Sequence, residues 1–268
     1  MKGIPMSQIH ILTIGDVVGP AALDTLSKIL FPLRNEYKAD FVIVNGENAA
    51  PGNGIDIPSA KTLLFSGADV ITTGNHVWQK KDIRDFLCDS EQIIRPANYP
   101  PACPGSGYTI RDCMGWRVLV INVMGTVYME ALESPFAVVD RILERERGRY
   151  DIAVLDIHAE ATSEKIALGH YFDGRVNIVF GTHTHVPTAD LRILPGGSGY
   201  ITDLGMVGPE ESVLGVKTEI IIEKMTTKMP VRFEIADGPL VLCGACFTYD
   251  TEQKRITEAE QIQCRYPN

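Results

Sequence analysis

The first two-thirds of the chain alternates apolar runs with amphipathic segments, and this alternation limits the fold more than any other feature. Apolar runs rich in Ile and Val predict buried strands at residues 9–16, 41–48, 68–76, 117–125, 151–158 and 176–183. Segments with helical spacing of apolar residues predict helices at residues 22–37, 59–67 and 136–148. Strands that alternate with helices form βαβ units, so the sequence predicts an α/β domain with largely parallel central strands.

The last third of the chain has a different pattern. Apolar runs bounded by turn residues, with little helical spacing between them, occupy residues 199–208, 216–225, 231–239 and 240–250. They predict antiparallel strands that complete or extend a second sheet. Because no linker or repeat separates them from the rest, we expect one domain over residues 1–268.

Composition excludes several classes of protein. With 45% hydrophobic residues the chain is globular, and its net charge of -9 argues against a binder of duplex nucleic acid. No apolar run approaches the roughly 18–20 residues of a membrane span, and the amino terminus lacks the apolar segment of a signal peptide. We therefore expect a cytoplasmic protein with free thiols. Cys243 and Cys246 form a Cys-x-x-Cys in an apolar run, where structural thiols are favoured over a redox or metal role.

Five of the apolar runs end in side chains that can bind a metal. These side chains are Asp16, Glu47 with Asn48, Asn75 with His76, His158, and His183 with His185. Because the carboxyl ends of parallel strands meet at one edge of a sheet, we expect these residues to converge in one crevice. Their oxygen and nitrogen donors suit Mn²⁺, Fe²⁺ or Zn²⁺, and no cysteine adds a softer ligand.

Each of these residues also has an ordinary structural interpretation. Asp16 could cap the following helix, Asn75 could cap a turn, and His158 could bond to the backbone. Residues 50–55 form a glycine-rich turn that either contacts substrate or is a plain turn. For any one residue these alternatives stay open, and only the recurrence at five strand ends favours a metal centre.

The order of these residues resembles a known superfamily. The segments "IGDVVG", "VNGENAA", "TTGNHVW", "GTHTHVPTAD" and "YITDLGMVGP" are similar to motifs of the binuclear metallophosphoesterases, also called calcineurin-like phosphoesterases. The resemblance is closer to the small bacterial subfamily of 2′,3′-cyclic nucleotide phosphodiesterases. It implies an αββα fold in which two packed mixed β-sheets are flanked by helices. The strand pattern alone also permits a single doubly wound sheet.

The resemblance implies a dinuclear metal site. It places Asp16, Glu47, Asn48 and His185 around one divalent ion, and Glu47, Asn75, His158 and His183 around the other, with Glu47 bridging. The superfamily's usual first motif is Asp-x-His, whereas Val18 stands in the histidine position here. Its usual acidic residue after Gly-Asn-His is Val77 here, so the partner that orients His76 is not evident from the sequence.

The implied activity is metal-assisted hydrolysis of a small phosphodiester, with His76 as the general acid. The resemblance favours cyclic nucleotides, 2′,3′-cyclic and also 3′,5′-cyclic, as substrates. Because Asn48 enriches one site in oxygen, we expect Fe²⁺ or Mn²⁺ rather than Zn²⁺. The alternatives are a phosphomonoesterase or nucleotidase, and a metal-binding regulatory protein. No membrane partner is expected, and a homo-oligomer stays open.

Overall fold

The computed structural model describes residues 7–267. Its strands are, in chain order, β1 (Gln8–Ile14), β2 (Asp16–Val17), β3 (Phe41–Asn45), β4 (Val70–Thr72), β5 (Tyr108–Cys113), β6 (Trp116–Met124), β7 (Ile152–His158), β8 (Ile178–Thr182), β9 (Arg192–Ile193), β10 (Gly199–Ile201), β11 (Met206–Pro209), β12 (Leu240–Asp250) and β13 (Arg255–Tyr266). Its helices are α1 (Gly19–Glu36), α2 (Ile57–Phe65), α3 (Ile83–Asp89), α4 (Pro135–Arg145), α5 (Thr162–Phe172) and α6 (Thr218–Thr227).

The strands form two mixed sheets. The first has the order β2-β11-β12-β1-β3-β4, with β13 along the other edge of β12, and the second has the order β5-β6-β7-β8-β10-β9. Neighbours along β1-β3-β4 and along β6-β7-β8-β10 are parallel, whereas β12 is antiparallel to β1, β11 and β13. The predicted α/β fold with two packed mixed sheets is confirmed, and a single doubly wound sheet is excluded.

The two sheets pack face to face, and helices cover their outer faces. Because side chains alternate along a strand, Ile11 of β1 and Ile43 of β3 point between the sheets, where they join Val154 of β7. Their neighbours Leu12 and Val44 point outward to the core beneath α1 and α2. A third core lies between the second sheet and helices α4 and α5. The layers are therefore helix, sheet, sheet, helix.

The predicted strands at residues 216–225 and 231–239 were wrong. Most of the first segment lies in helix α6, and the second makes only the isolated bridge between Ile235 and Val216. Three consecutive isoleucines favour a strand, but strand preference depends on a neighbouring edge to pair with. Here Ile221 alone in α6 is buried, while Ile222 is exposed. The segment thus lies on the surface as a helix.

The sequence pattern also missed helix α5. Its buried residues include Glu164 and Lys165, so no apolar stripe marks it in the sequence. Within residues 7–267 no helix is both long enough and apolar enough to cross a membrane. The single domain over residues 1–268 stays a prediction, and residues 1–6 and 268 lie outside the described range.

Candidate metal centre

The carboxyl ends of five strands from both sheets meet at one edge of the molecule. Strands β1, β3 and β4 of the first sheet lead into three of the polar segments, and β7 and β8 of the second sheet lead into the other two. The structure brings all eight predicted residues into one connected cluster: Asp16, Glu47, Asn48, Asn75, His76, His158, His183 and His185. The topology therefore explains why residues far apart in the chain become neighbours.

Glu47 lies at the centre of this cluster and is fully buried. Its Oε1 is 2.7 Å from His76 Nδ1, and its Oε2 is 3.0 Å from His158 Nε2. Neither oxygen accepts a well-aligned hydrogen bond. Burial raises the pKa of this carboxyl, but the facing His158 and His76 outweigh burial and hold the pKa below its usual range. The carboxylate is therefore ionised and in need of cationic partners.

His158 presents one ring nitrogen to three neighbours. Its Nε2 is 3.0 Å from Asn75 Oδ1, 3.0 Å from Glu47 Oε2 and 3.1 Å from His183 Nδ1. One nitrogen carries at most one proton, so hydrogen bonds cannot satisfy all three neighbours. Although burial lowers the pKa of His158, the charge of Glu47 raises it to about 9. The cluster thus attracts positive charge strongly.

The outer nitrogen of His158 is held by a hydroxyl. Thr182 Oγ1 lies 2.9 Å from His158 Nδ1 and donates its own proton to buried Asp156 at 2.8 Å. We infer that the Nδ1–H of His158 donates to Thr182, which leaves Nε2 directed into the cluster. Burial raises the pKa of Asp156 to about 6.

The other two candidate histidine ligands are held in the same way. His183 places its Nε2 3.0 Å from Glu160 Oε2, and His185 places its Nδ1 3.0 Å from the carbonyl oxygen of Leu214. An outer N–H bond of this kind, to a carboxylate or a carbonyl, fixes metal-binding histidines in proteins. Burial and the neighbouring His158 lower the pKa of His183 to about 3, so its imidazole stays neutral.

Asp16 adds a second buried carboxylate. Its Oδ2 accepts a hydrogen bond from the backbone N–H of His183 at 3.1 Å, while its Oδ1 has no hydrogen-bond partner. That oxygen lies 3.8 Å from His185 Nε2 and 3.9 Å from His158 Nδ1. Burial raises the pKa of Asp16. The alternative role as a helix cap was wrong, since the N-cap of α1 is Val18.

The donor set fits divalent metal ions. Ligand atoms of Glu47, His158 and His183 all lie within 4.8 Å of one another. Their inward lone pairs repel each other unless a cation lies among them, and carboxylate, amide and imidazole donors suit Mn²⁺, Fe²⁺ and Zn²⁺. The backbone at Gly74 also lies close to the carboxylate of Glu47. A Cβ on Gly74 would lie 1.8 Å from Glu47 Oε2, so only glycine fits before Asn75.

His76 differs from the other three histidines. Its Nδ1 faces Glu47 Oε1 and, at 3.0 Å, Asn48 Oδ1. Within residues 7–267 no hydrogen bond is made to its Nε2, and its side chain is 27% exposed. Glu47 and Asn48 therefore orient His76, in place of the acidic neighbour that Val77 replaces. His76 lines a cavity of about 240 Å³ that also borders Glu160 and Leu214.

Sequence reasoning missed the ion pair beneath the histidine loop. Buried Lys165 of α5 places its Nζ 2.6 Å from Asp203 Oδ2, which also accepts from the backbone N–H and hydroxyl of Thr184. The loop needs this support, because the backbone φ angles of His183 and His185 are 96° and 63°, values that residues other than glycine rarely adopt. Glu160 was missed too, although it follows His158 by two residues.

The Cys-x-x-Cys does not form a chelating pair. Cys243 and Cys246 lie three residues apart on β12, so their side chains point to opposite faces and enter different apolar clusters. Burial raises the pKa of Cys243 to about 11 and that of Cys246 to about 12. Both behave as structural thiols.

Known proteins are similar to this chain in sequence and in fold. The YmdB-like protein family matches residues 12–262. A Bacillus subtilis (strain 168) protein named 2′,3′-cyclic-nucleotide 2′-phosphodiesterase is 46% identical over 253 residues, which cover 94% of this chain and 96% of that protein.

Two solved structures match over nearly the whole chain. A hypothetical protein from Thermus thermophilus is 39% identical with a TM-score of 0.91, covering 97% of this chain and 100% of that one. A novel phosphatase from Mycoplasma pneumoniae is 34% identical with a TM-score of 0.92, covering 98% of this chain and 95% of that one. The chain therefore belongs to the YmdB-like protein family, and it has the calcineurin-like phosphoesterase fold.

Proposed function

We propose that this chain is a metal-dependent phosphodiesterase that hydrolyses 2′,3′-cyclic nucleotides, and 3′,5′-cyclic nucleotides as secondary substrates. The observation that carries the proposal is a set of three histidines whose outer nitrogens face fixed acceptors. The inner nitrogens of His158 and His185 face carboxylate oxygens without hydrogen-bond partners, and the inner nitrogen of His183 faces His158 Nε2. The name of the Bacillus subtilis relative supports the substrate class.

The proposed site is dinuclear. Asp16, Glu47, Asn48 and His185 would hold one ion, and Glu47, Asn75, His158 and His183 the other. When bound, such ions neutralise phosphate charge and bring the pKa of water toward neutrality. Asn48 makes the first set richer in oxygen, which favours Fe²⁺ or Mn²⁺ over Zn²⁺.

His76 is the proposed general acid. Glu47 and Asn48 hold its Nδ1, so its Nε2 is directed at the cavity and can donate a proton to the leaving oxygen. General-acid catalysis contributes roughly 10²–10⁴-fold. Glu160 and Leu214 keep the rings of His183 and His185 in place, and Lys165 with Asp203 fixes the loop between them.

His76→Ala separates the acid from the ligands. The variant should retain its metal content and lose roughly 10²–10⁴-fold in kcat on a cyclic nucleotide, whose alkoxide needs a proton. On a nitrophenyl ester the loss should be much smaller, because nitrophenolate leaves without protonation. Steady-state kinetics with both substrates measure the losses in kcat, and elemental analysis of the variant measures its metal content. An equal loss on both esters, or loss of metal, would remove His76 from the acid role.

A phosphomonoesterase is the second candidate, supported by the Mycoplasma pneumoniae structure described as a novel phosphatase. A panel of 2′,3′-cyclic, 3′,5′-cyclic and monophosphate nucleotides, assayed after reconstitution with Mn²⁺, Fe²⁺ and Zn²⁺, distinguishes the two. The proposal predicts the highest kcat/KM on 2′,3′-cyclic nucleotides with Fe²⁺ or Mn²⁺. Higher turnover of monoesters would favour the phosphatase. Metal binding without turnover would favour a regulatory protein.

A further inference from the structure

A second cavity of about 240 Å³ lies beside the one that covers the metal centre. The two cavities share four lining residues, Asn48, His76, His185 and Leu214. A ligand held at the metal centre can therefore extend into the second cavity without leaving the protein surface.

The walls of the second cavity are mostly apolar, in contrast to the polar metal centre. Apolar side chains line it from three segments of the chain: Val18, Leu214, Val216, Phe233 and Ile235. Two of them are unusually exposed for their type, Phe233 at 48% and Leu214 at 46%. Exposed apolar surface beside a polar site marks a place where a ligand covers it.

Backbone hydrogen bonds hold these walls in place. The N–H of Lys217 donates to the carbonyl of Glu234, and the N–H of Ala236 donates to the carbonyl of Gly215, which joins the segments that carry Leu214 and Phe233. The Phe233 ring is fixed further by Lys224, whose Nζ lies 4.3 Å from the ring centroid. The cavity is thus a built feature of the fold.

The opposite rim of the cavity is the glycine-rich turn. Gly52 and Asn53 line it, and the turn is closed by a hydrogen bond from the N–H of Ala50 to the carbonyl of Gly54. Gly52 and Gly54 have φ angles of 80° and 89°, so the turn depends on glycine. Asn53 is exposed at this rim and Glu234 at the other, and both offer hydrogen-bonding atoms to a ligand between them.

We propose that the second cavity binds the nucleobase of the substrate, with Phe233 and Leu214 as its main contacts. The proposal rests on the proposed function. A cyclic nucleotide joins a charged phosphate to a flat, largely apolar ring, which matches a polar metal centre joined to an apolar cavity. Aromatic stacking accepts any base, because every base has a π-face.

The experiment compares Phe233→Ala with wild type on two substrates, adenosine 2′,3′-cyclic phosphate and ribose 2′,3′-cyclic phosphate, which lacks the base. On the nucleotide, kcat/KM should fall by about fivefold or more, the effect of losing one base–aromatic stack. On the baseless ester it should be unchanged. Ile222→Ala is the matched control, since Ile222 is exposed on α6 and does not line the cavity. It should change neither value.

Equal losses on both substrates, or no loss on either, would overturn the subsite. If wild type hydrolyses neither ester, the proposed function fails, and equilibrium dialysis with adenosine then tests the subsite alone. Binding that falls about fivefold or more in Phe233→Ala would support it, and equal or absent binding would overturn it. Urea unfolding checks that each variant is folded. If Phe233→Ala does not fold, Phe233→Leu replaces it, with the same expected results.

Discussion

Two clusters of buried charge lie on either side of the loop that carries His183 and His185, and their chemistry is opposite. Below the loop, Asp203 has both oxygens satisfied, by Lys165 and Thr184 at Oδ2 and by the N–H of Gly205 at Oδ1. Above it, Asp16 Oδ1 and both oxygens of Glu47 have no aligned hydrogen bond. A buried carboxylate whose partners are complete supports the fold, whereas one whose partners are missing indicates a ligand.

The largest expected effect comes from breaking the buried ion pair between Lys165 and Asp203. Lys165→Met should lower the free energy of unfolding by about 3–5 kcal/mol, because Asp203 would be left buried without its cation. Urea unfolding of the metal-free protein measures this change. Adding Asp203→Asn to Lys165→Met should restore part of the loss, because the unpaired charge is removed. A loss below about 1 kcal/mol would mean that the pair is no stronger than a surface ion pair.

Metal ions should complete the second cluster. At about a hundredfold excess of Mn²⁺ over its Kd, each bound ion should add about 2.7 kcal/mol to the stability of wild type, which should unfold at a higher temperature. Glu47→Gln keeps the size of the side chain but removes the proposed bridging charge, so it should lose most of this gain. Thermal unfolding with and without Mn²⁺ measures it. An equal gain in both proteins would place the bound ion elsewhere.

The incomplete cluster should also cost stability when no metal is bound. Asp16→Asn keeps an oxygen to accept the N–H of His183 and replaces the buried acidic oxygen that has no hydrogen-bond partner with an uncharged amide group. The metal-free variant should therefore be more stable than wild type by about 1–3 kcal/mol, the opposite sign to Lys165→Met. Urea unfolding in the presence of a chelator measures the difference. A destabilised variant would show that Asp16 is already satisfied in the metal-free protein.

The smallest expected effect concerns Glu160, whose carboxylate faces the outer nitrogen of His183. Glu160→Gln should weaken Mn²⁺ binding by about tenfold, the lower end of the range for partners of metal-binding histidines, because Glu160 is partly exposed. Titration calorimetry measures the Kd, and Glu210→Gln, which changes an acidic residue paired with Arg265 away from the cluster, serves as the control. An unchanged Kd would mean that the ring of His183 is held without Glu160.

The same comparison explains how much could be predicted from the sequence. The ligand candidates are visible because parallel strands align their carboxyl ends, so Asp16, Glu47 and His158 can be found as polar residues after apolar runs. Lys165 cannot be found this way. A lysine within a helix usually points to solvent, and only the tertiary packing of α5 against the second sheet buries it.

Segments that pack on the surface were equally hard to predict. The isoleucines of α6 suggest a strand, but the sequence does not reveal that residues 216–225 join neither of the two sheets. The second cavity depends on the bridge between Val216 and Ile235 and on the contact between Phe233 and Lys224 of that helix, so it too follows from tertiary structure alone. Its only signal in the sequence is the glycine-rich turn at residues 50–55.

Metal content tests most directly whether the carboxylates of Asp16 and Glu47 form a metal centre while Asp203 does not. Elemental analysis of protein reconstituted with Mn²⁺ or Fe²⁺ and then desalted should find two divalent ions per wild-type chain. It should find at most one in Glu47→Gln, and the wild-type number in any Lys165→Met protein that remains folded. A wild-type chain without bound metal, or a Glu47→Gln variant with the full wild-type content, would contradict the conclusion that the unpartnered carboxylates form a metal centre.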